Sequence, residues 1–505
     1  MSVAIPPGST ALAAPEPETT GRSRLTRYLL IGFGVFALVS LVRVLTGADD
    51  LTSAGALRAA LVAAVPIALA GLGGLWSERA GVVNIGLEGM MIVGALGAGW
   101  AGYHYGFLGG ILGALLFGLV GGVVHAVTTV LLGVDHIVSG VAINIIAAGL
   151  AAFLAQAWFT GLPGGGPTQS PSLDRPPAFT LGPIADAASD LAGKGWFLIS
   201  DLAAVVAALT RNLSLLTVLA LVLVVGTGWL LWSTAFGLRL RSVGEAPSAA
   251  ETLGVRVYFY KFVAVAISGS FAGLGGAYLA LVAAPGYQNG MTGGLGYIGL
   301  AAMIFGNWRP AGLLAGAALF GYTSAIQLRG GTDALHALLL VIGVILVIVA
   351  VVQLRRAAAQ PLTVHDQAGP GVGGVARMVV GNVEFLAGLV ATLVLAVGFW
   401  LVGPADTFGA LPTWARHVLA ALLAVAAVVA LVLALRRLAS AARTPVITLG
   451  LAVAFIAWFA TTDSVPSEFT GMAPYVATLF VLAFASQNLR MPAADGLVYR
   501  KGSAG

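Results

Sequence analysis

A chain of 505 residues that is 59% hydrophobic and only 9% charged, with a mean hydropathy of +0.97, carries more apolar side chain than a soluble core can hide. It reads as an all-α polytopic membrane protein, because apolar runs of roughly 17–25 residues recur without the strict alternation of a membrane barrel. The absence of cysteine excludes disulfides and thiolate metal sites, and the net charge of +5 comes from arginines in short loops, which speaks for topology and against nucleic acid as a partner.

Residues 1–27, rich in Pro, Ala, Ser and Thr and ending in Arg22, Arg24 and Arg27, read as a disordered cytosolic tail. The apolar run after it is long for a signal peptide, and no small-residue cleavage site follows. Apolar runs then lie at 28–46, 57–76, 83–101, 107–132, 137–159, 213–232, 258–283, 297–308, 311–328, 335–352, 383–402, 417–435, 446–461 and 472–486. The run 297–308 is short for an ordinary crossing but is counted as one. Region 160–211, with its LPGGGPTQSPSLDRPP stretch, reads as a long irregular loop on the outer side.

Alternating sides from a cytosolic N-terminus puts Arg79, Arg239, Arg241, Arg256, Lys261, Arg309, Arg355, Arg356, Arg377, Arg436, Arg437, Arg443, Arg490, Arg500 and Lys501 on the inner face, as the positive-inside rule requires. Both termini then lie in the cytosol. Arg43, Arg58, Arg175, Lys194, Arg211, Arg329 and Arg416 depart from that pattern.

No phosphate-binding loop is present. Gly193-Lys194-Gly195 lacks both the preceding glycine at the required spacing and the hydroxyl residue that would hold magnesium, so the chain does not hydrolyse ATP alone. The six histidines show no metal spacing, and no nucleophile, base and acid are arranged for catalysis. The chain is therefore read as no enzyme.

Polar side chains within the spans are more informative, since burial in hydrocarbon is costly unless they face a wet cavity or one another. Asn84 and Glu88 share a face on a helix expected to begin near Val83, with Gly86 and Gly89 leaving space beside them. Asp135, His136, Ser139 and Asn144 form a second polar set. One reading makes Asn84, Glu88, Ser139, Asn144 and Ser268 the lining of a transport path. The other pairs Glu78 with Arg79 at the membrane surface and leaves Glu88 hydrogen-bonded between helices. The glycines of 71–94 and 268–282 serve either reading, by letting helices approach closely.

The stretch FGLRLRSVGEAPSAAETLGV, 236–255, gathers charge between two apolar runs. Pro247 suits a first helical turn and Gly254 a position just past a helix end, so 246–253 reads as a helix of about 12 Å, too short to span. It is either a docking element for a soluble partner or an ordinary capped surface loop.

SERAGVVNIGLEGMMIVGA (77–95), VDHIVSGVAIN (134–144), FGLRLRSVGEAPSAAETLGV, ISGSFAGLGGAYLAL (267–281), GYIGLAAMIFGNWRP (296–310) and PAADGLVYRKG (492–502) together resemble the permease subunit of nucleoside or simple-sugar ABC importers, within the branched-chain amino acid and ribose permease superfamily. The resemblance implies about ten spans in a bacterial plasma membrane, with a coupling helix set by Arg239, Arg241, Glu245, Pro247, Glu251 and Gly254. It also implies a separate ATPase that carries ATP and magnesium, a second permease subunit and an extracytoplasmic substrate-binding lipoprotein. The expected function is ATP-driven import of nucleosides, with simple sugars as the alternative substrate. A gradient-driven transporter relaying protons through Glu88, Asp135 and His136, and a non-transporting scaffold, are the rivals from outside the family. The chain departs from the family by about 140 extra residues, so 28–329 is read as permease core, 330–471 as an inserted four-span module and 472–505 as the last core span and tail. His136 stands where a glutamine is expected.

Overall fold

The computed structural model describes residues 21–359, 440–462, 464–465, 471–472 and 489–502. The runs 383–402 and 417–435, most of 472–486 and the first twenty residues of the expected tail lie outside the described residues. What is described is mostly helical. Seven helices among the described residues are long and apolar enough to cross a membrane. The chain is thus an all-α, multi-pass membrane protein.

Helix α1, Gly21–Thr46, begins ahead of Tyr28 and takes in Arg22, Arg24 and Arg27 from the expected tail. After it comes α2, Ala54–Arg79, capped by the Ser53 hydroxyl, which accepts from the Ala56 amide. Helix α3, Leu87–Ala126, folds back on itself at Tyr105 and Gly106, whose backbone leaves helical geometry. Its two arms run antiparallel, so that a β-carbon on Gly113 would lie 2.6 Å from the Gly97 carbonyl oxygen. The expected runs 83–101 and 107–132 are these arms. Gly106 has φ +70°, a left-handed conformation that glycine adopts without penalty, which is why the reversal falls there.

Helix α4, His136–Phe159, leads to the segment that the sequence suggests is irregular. It is ordered. A two-stranded antiparallel ladder pairs β1, Ala178–Phe179, with β2, Leu213–Ser214. Between the strands α5, Gly182–Ala192, packs on α6, Ile199–Thr210, through the buried alanines 185, 188, 203, 204 and 207. These helices are too short and too flanked by glycine and proline to register as spans. Arg43 of α1 anchors them: its Nε lies 2.9 Å from buried Asp201, which also accepts from the hydroxyls of Ser40 and Thr52. Local pairing of this kind accounts for Arg43 among the cations that break the charge pattern.

Helix α7, Leu215–Ser233, is followed by two short helices, α8, Ala235–Glu245, and α9, Pro247–Thr252. Helix α10, Val257–Tyr278, continues as a wider turn to Ala283 and fills the centre of the bundle between both arms of α3 and α2. The close approach rests on small residues. A β-carbon on Gly273 would lie 2.3 Å from the Ala114 carbonyl oxygen, and one on Gly118 would lie 2.3 Å from that of Gly269. Gly118 and Gly122 on one helix face Gly269 and Gly273 on the other, the four-residue spacing by which membrane helices meet without a hydrophobic drive.

Helix α11, Leu295–Phe305, has only 11 residues; α12, Pro310–Ala325, packs on α2. Helix α13, Gly331–Ala359, packs on α14, Ser440–Thr461, where the His336 ring stacks on Phe459 at 4.6 Å. These two form a smaller apolar cluster with α1, beside the main core.

Candidate functional site: a polar knot and the lever beneath it

Residues 81–86 between α2 and α3 are not helical, because Gly81 turns the chain at φ +79° and Gly86 serves as the cap of α3. Asn84 therefore does not share a helical face with Glu88, contrary to the expectation from spacing. It lies in the loop, fully buried, and donates 2.9 Å to the Ser268 hydroxyl of α10, while its own amide oxygen is buried without a partner. Glu88 sits in the first turn of α3, where its charge suits the helix N-terminus. Its two carboxylate oxygens accept from the backbone amides of Gly294, at 2.9 Å, and Gly296, at 2.7 Å.

Asn144 of α4 ties the same loop from the other side. Its amide donates to the Ile85 carbonyl and the Tyr297 hydroxyl, and its oxygen accepts from the Gly89 amide. Ser139 meets Nδ1 of buried His125 at 2.9 Å, and the other ring nitrogen of His125 meets the Val83 carbonyl at 3.1 Å. The five path candidates thus converge on one buried loop. His125 and Tyr297 complete the knot and carry no signal in the sequence beyond their polarity.

Asp135 stands apart. Its carboxylate caps α4 by accepting from the amides of Ile137 and Val138, the ordinary work of an N-cap aspartate.

The expected pairing of Glu78 with Arg79 does not occur, since neighbours on a helix diverge in direction. Glu78 accepts from the indole nitrogen of Trp308 at 2.6 Å. Arg79 donates to the Trp308 carbonyl, approaches Glu245 at 3.9 Å and lies over the Trp232 ring at 5.4 Å. Arg241 flanks the same ring at 5.5 Å and donates to the Leu231 carbonyl. Arg239 is exposed.

Helix α9 covers six residues, with Pro247 in its first turn and Gly254 at φ +80° just past its end. Only Ala250 is buried; Leu253 at the tip is 84% exposed, an apolar knob that sequence spacing gave no reason to single out. The base of this projection is fixed to the core. A β-carbon on Gly244 would lie 2.2 Å from the Arg79 carbonyl oxygen, and Lys261, buried in α10, donates to the Gly81 carbonyl at 3.0 Å. The segment 489–502 crosses above: the Ala494 amide donates to the Gly244 carbonyl, the Ala493 amide to Glu245, and the Tyr499 hydroxyl to Glu251. From α9 to Asn84 there is an unbroken series of packed and hydrogen-bonded groups.

A family model described as branched-chain amino acid transport system / permease component matches residues 56–350. The chain belongs to this permease family. The matched span includes the polar knot, α8 and α9, and runs on through most of α13. Among relatives, the chain is 35% identical over 279 residues to a protein of Bacillus subtilis named as the guanosine ABC transporter permease protein NupQ, covering 54% of this chain and 81% of that one. Identity, length and coverage are the same with the nucleoside ABC transporter permease protein NupC of Lactococcus lactis. With the putative glucose ABC transporter permease protein TsgC13 of Haloferax volcanii it is 38% over 282 residues, covering 55% and 78%. No solved structure matches the chain. Membership makes the chain an ABC transporter permease, and the gradient-driven and scaffold readings find no counterpart among these relatives.

Proposed function

We propose that the chain is the membrane-spanning permease of an ATP-driven importer for nucleosides. The observation that carries this is α9, a short helix whose tip projects Leu253 into solvent while its base is fixed to the loop that holds Asn84. In this reading α8, α9 and both chain termini face the cytosol of a bacterial cell. Arg239, Glu245, Pro247, Glu251 and Gly254 shape the coupling element and Arg241 anchors it. ATP and magnesium are held by a separate ATPase subunit, a lipoprotein outside the membrane delivers substrate, and a second permease completes the pair.

ATP binding draws the ATPases together and displaces α9. Gly244 bears directly on Arg79, and Lys261 holds Gly81, so displacement of α9 moves the 81–86 loop. Asn84, Ser268, Glu88, Ser139 and Asn144 then exchange their present partners for substrate or water, a shift between two packings biased by nucleotide. Their burial corresponds to an occluded path. The family match runs to residue 350 and takes in most of α13, so the residues added to the permease core lie beyond it, with α14 packed on α13.

The glucose permease among the relatives supports sugar as the second substrate class. Uptake into proteoliposomes containing both permeases and the ATPase discriminates: labelled guanosine, uridine and glucose are offered with the binding protein. Nucleoside accumulation that requires internal ATP supports the proposal. Glucose accumulation alone turns it to the second class, and accumulation driven by a proton gradient without ATP refutes it.

A further inference from the structure

The segment 489–502 touches the bundle at both ends and along its middle. The Arg490 amide donates to the Asn307 side chain at 2.8 Å, the Ala494 amide to the Gly244 carbonyl at 2.9 Å, and the Lys501 amide to the Tyr258 hydroxyl at 3.3 Å. The rings of Tyr258 and Tyr499 lie 5.4 Å apart. Beneath Leu497 and Tyr499 is a small cavity whose other walls include Val82, Thr129, Val130, His136 and Lys261. It is polar on its inner side: Lys261 is buried there, and Nδ1 of the buried His136 has no partner. Val82 leads directly into the loop that holds Asn84, and His125, one turn before Thr129, bonds that loop at Val83.

Leu497 lines this cavity and is 61% exposed, so the segment 489–502 forms part of the cavity's solvent-side rim. That same segment is joined to α9 by the bond from the Tyr499 hydroxyl to Glu251. A partly open cavity with unpaired nitrogen at the end of a polar series, bordered by a segment tied to the projecting helix, has the parts of a gate and its handle.

We propose that residues 489–502 form a lid over the exit of the transport path, drawn aside by α9 through the bond between Glu251 and Tyr499. This rests on the reading of α9 as the element that an ATPase moves. When α9 is displaced, Glu251 carries Tyr499 with it, Leu497 lifts, and the mouth of the cavity lined by His136 and Lys261 widens. Tyr499 is a positioning residue: it acts through the lid and touches no substrate in this account.

The chain has no cysteine, so a pair of thiols can be placed without background. Val130→Cys with Leu497→Cys, in the assembled complex with its ATPase in proteoliposomes, is bridged with a cleavable bis-thiol reagent and scored for labelled guanosine uptake and ATP hydrolysis. The lid requires uptake to fall about tenfold or more on bridging and to return on cleavage, as expected where opening of a lid limits turnover. Equal uptake before and after bridging overturns the lid while leaving the importer reading in place. A complex that hydrolyses ATP but moves no guanosine, uridine or glucose before bridging sinks the importer reading, and the lid with it. Tyr499→Phe supplies the second measurement. It keeps the ring and removes the bond to Glu251, so guanosine moved per ATP should drop about fivefold, whereas a purely structural role would leave that ratio alone. An unchanged ratio contradicts the link.

Discussion

Glu88 and Gly296 are joined at 2.7 Å, carboxylate oxygen to backbone amide, across 208 positions of sequence. With the companion bond to Gly294, this places a buried charge on two donors at the start of α11, which leaves neither the charge nor the amides unpaired. Replacing Glu88 with alanine strands both donors. We expect Glu88→Ala to cost about 1–3 kcal/mol of stability, and Glu88→Gln, which retains one acceptor, to cost less. Thermal unfolding of the detergent-purified chain measures both; alanine and glutamine behaving alike would mean that these amides find other partners.

The bond between Asn84 and Ser268 joins the loop to α10 inside the membrane. A double-mutant cycle of Asn84→Ala and Ser268→Ala should give a coupling of about 0.6 kcal/mol, with about 1.7 as the ceiling found for such pairs in lipid. If the two residues also line the path, each single variant will alter the relative rates of guanosine and uridine uptake. Strict additivity with unaltered selectivity would remove them from both roles.

Gly273 leaves no room for a side chain between α10 and α3. Gly273→Val forces that seam apart at a cost of about 1–3 kcal/mol or more, so little monodisperse protein should survive size-exclusion chromatography. A variant that purifies and unfolds like the wild type would show that the seam yields.

The helices were legible in the sequence because apolar length and glycine or proline punctuation are local signals. The reversal at Gly106 falls between two runs, and the bounds 246–253 read from Pro247 and Gly254 lie within a residue of the observed ends of α9. Helices α5 and α6 were not legible, being short alanine-packed elements inside a glycine- and proline-rich segment. Asn84 was misplaced because Gly81 and Gly86 interrupt a helix that the apolar count carries through. The knot itself depends on partners far apart in the chain, such as Asn84 with Ser268, and no local pattern records which polar residues meet. The lid segment has neither apolar periodicity nor a span, so the sequence marks 492–502 as a motif of the tail but not its contacts with Gly244, Glu251 and Tyr258.

Asp495, buried in the segment 489–502 with neither carboxylate oxygen hydrogen-bonded, gives the lid a pH dependence. Burial pushes its carboxyl from an ordinary 3.8 up to about 7, against the opposing pull of the Lys261 and Arg79 charges that face it, with the Glu78 carboxyl also nearby. Because the raised value belongs to the docked state, its contribution to docking is complete below about 3.8 and disappears as pH rises through about 7. A nitroxide on Leu497→Cys should therefore be less mobile at pH 6 than at pH 8, and Asp495→Asn should abolish the difference. Equal mobility at both values, with Asp495 intact, would contradict this.

The central claim is that α9 faces the cytosol and is covered there by a separate motor. It is tested most directly by labelling Leu253→Cys with a thiol reagent that cannot cross membranes. The account predicts no labelling in intact cells, labelling once the membrane is permeabilised, and protection when the ATPase subunit is co-expressed. Labelling of intact cells, or exposure that the ATPase leaves unchanged, would contradict it.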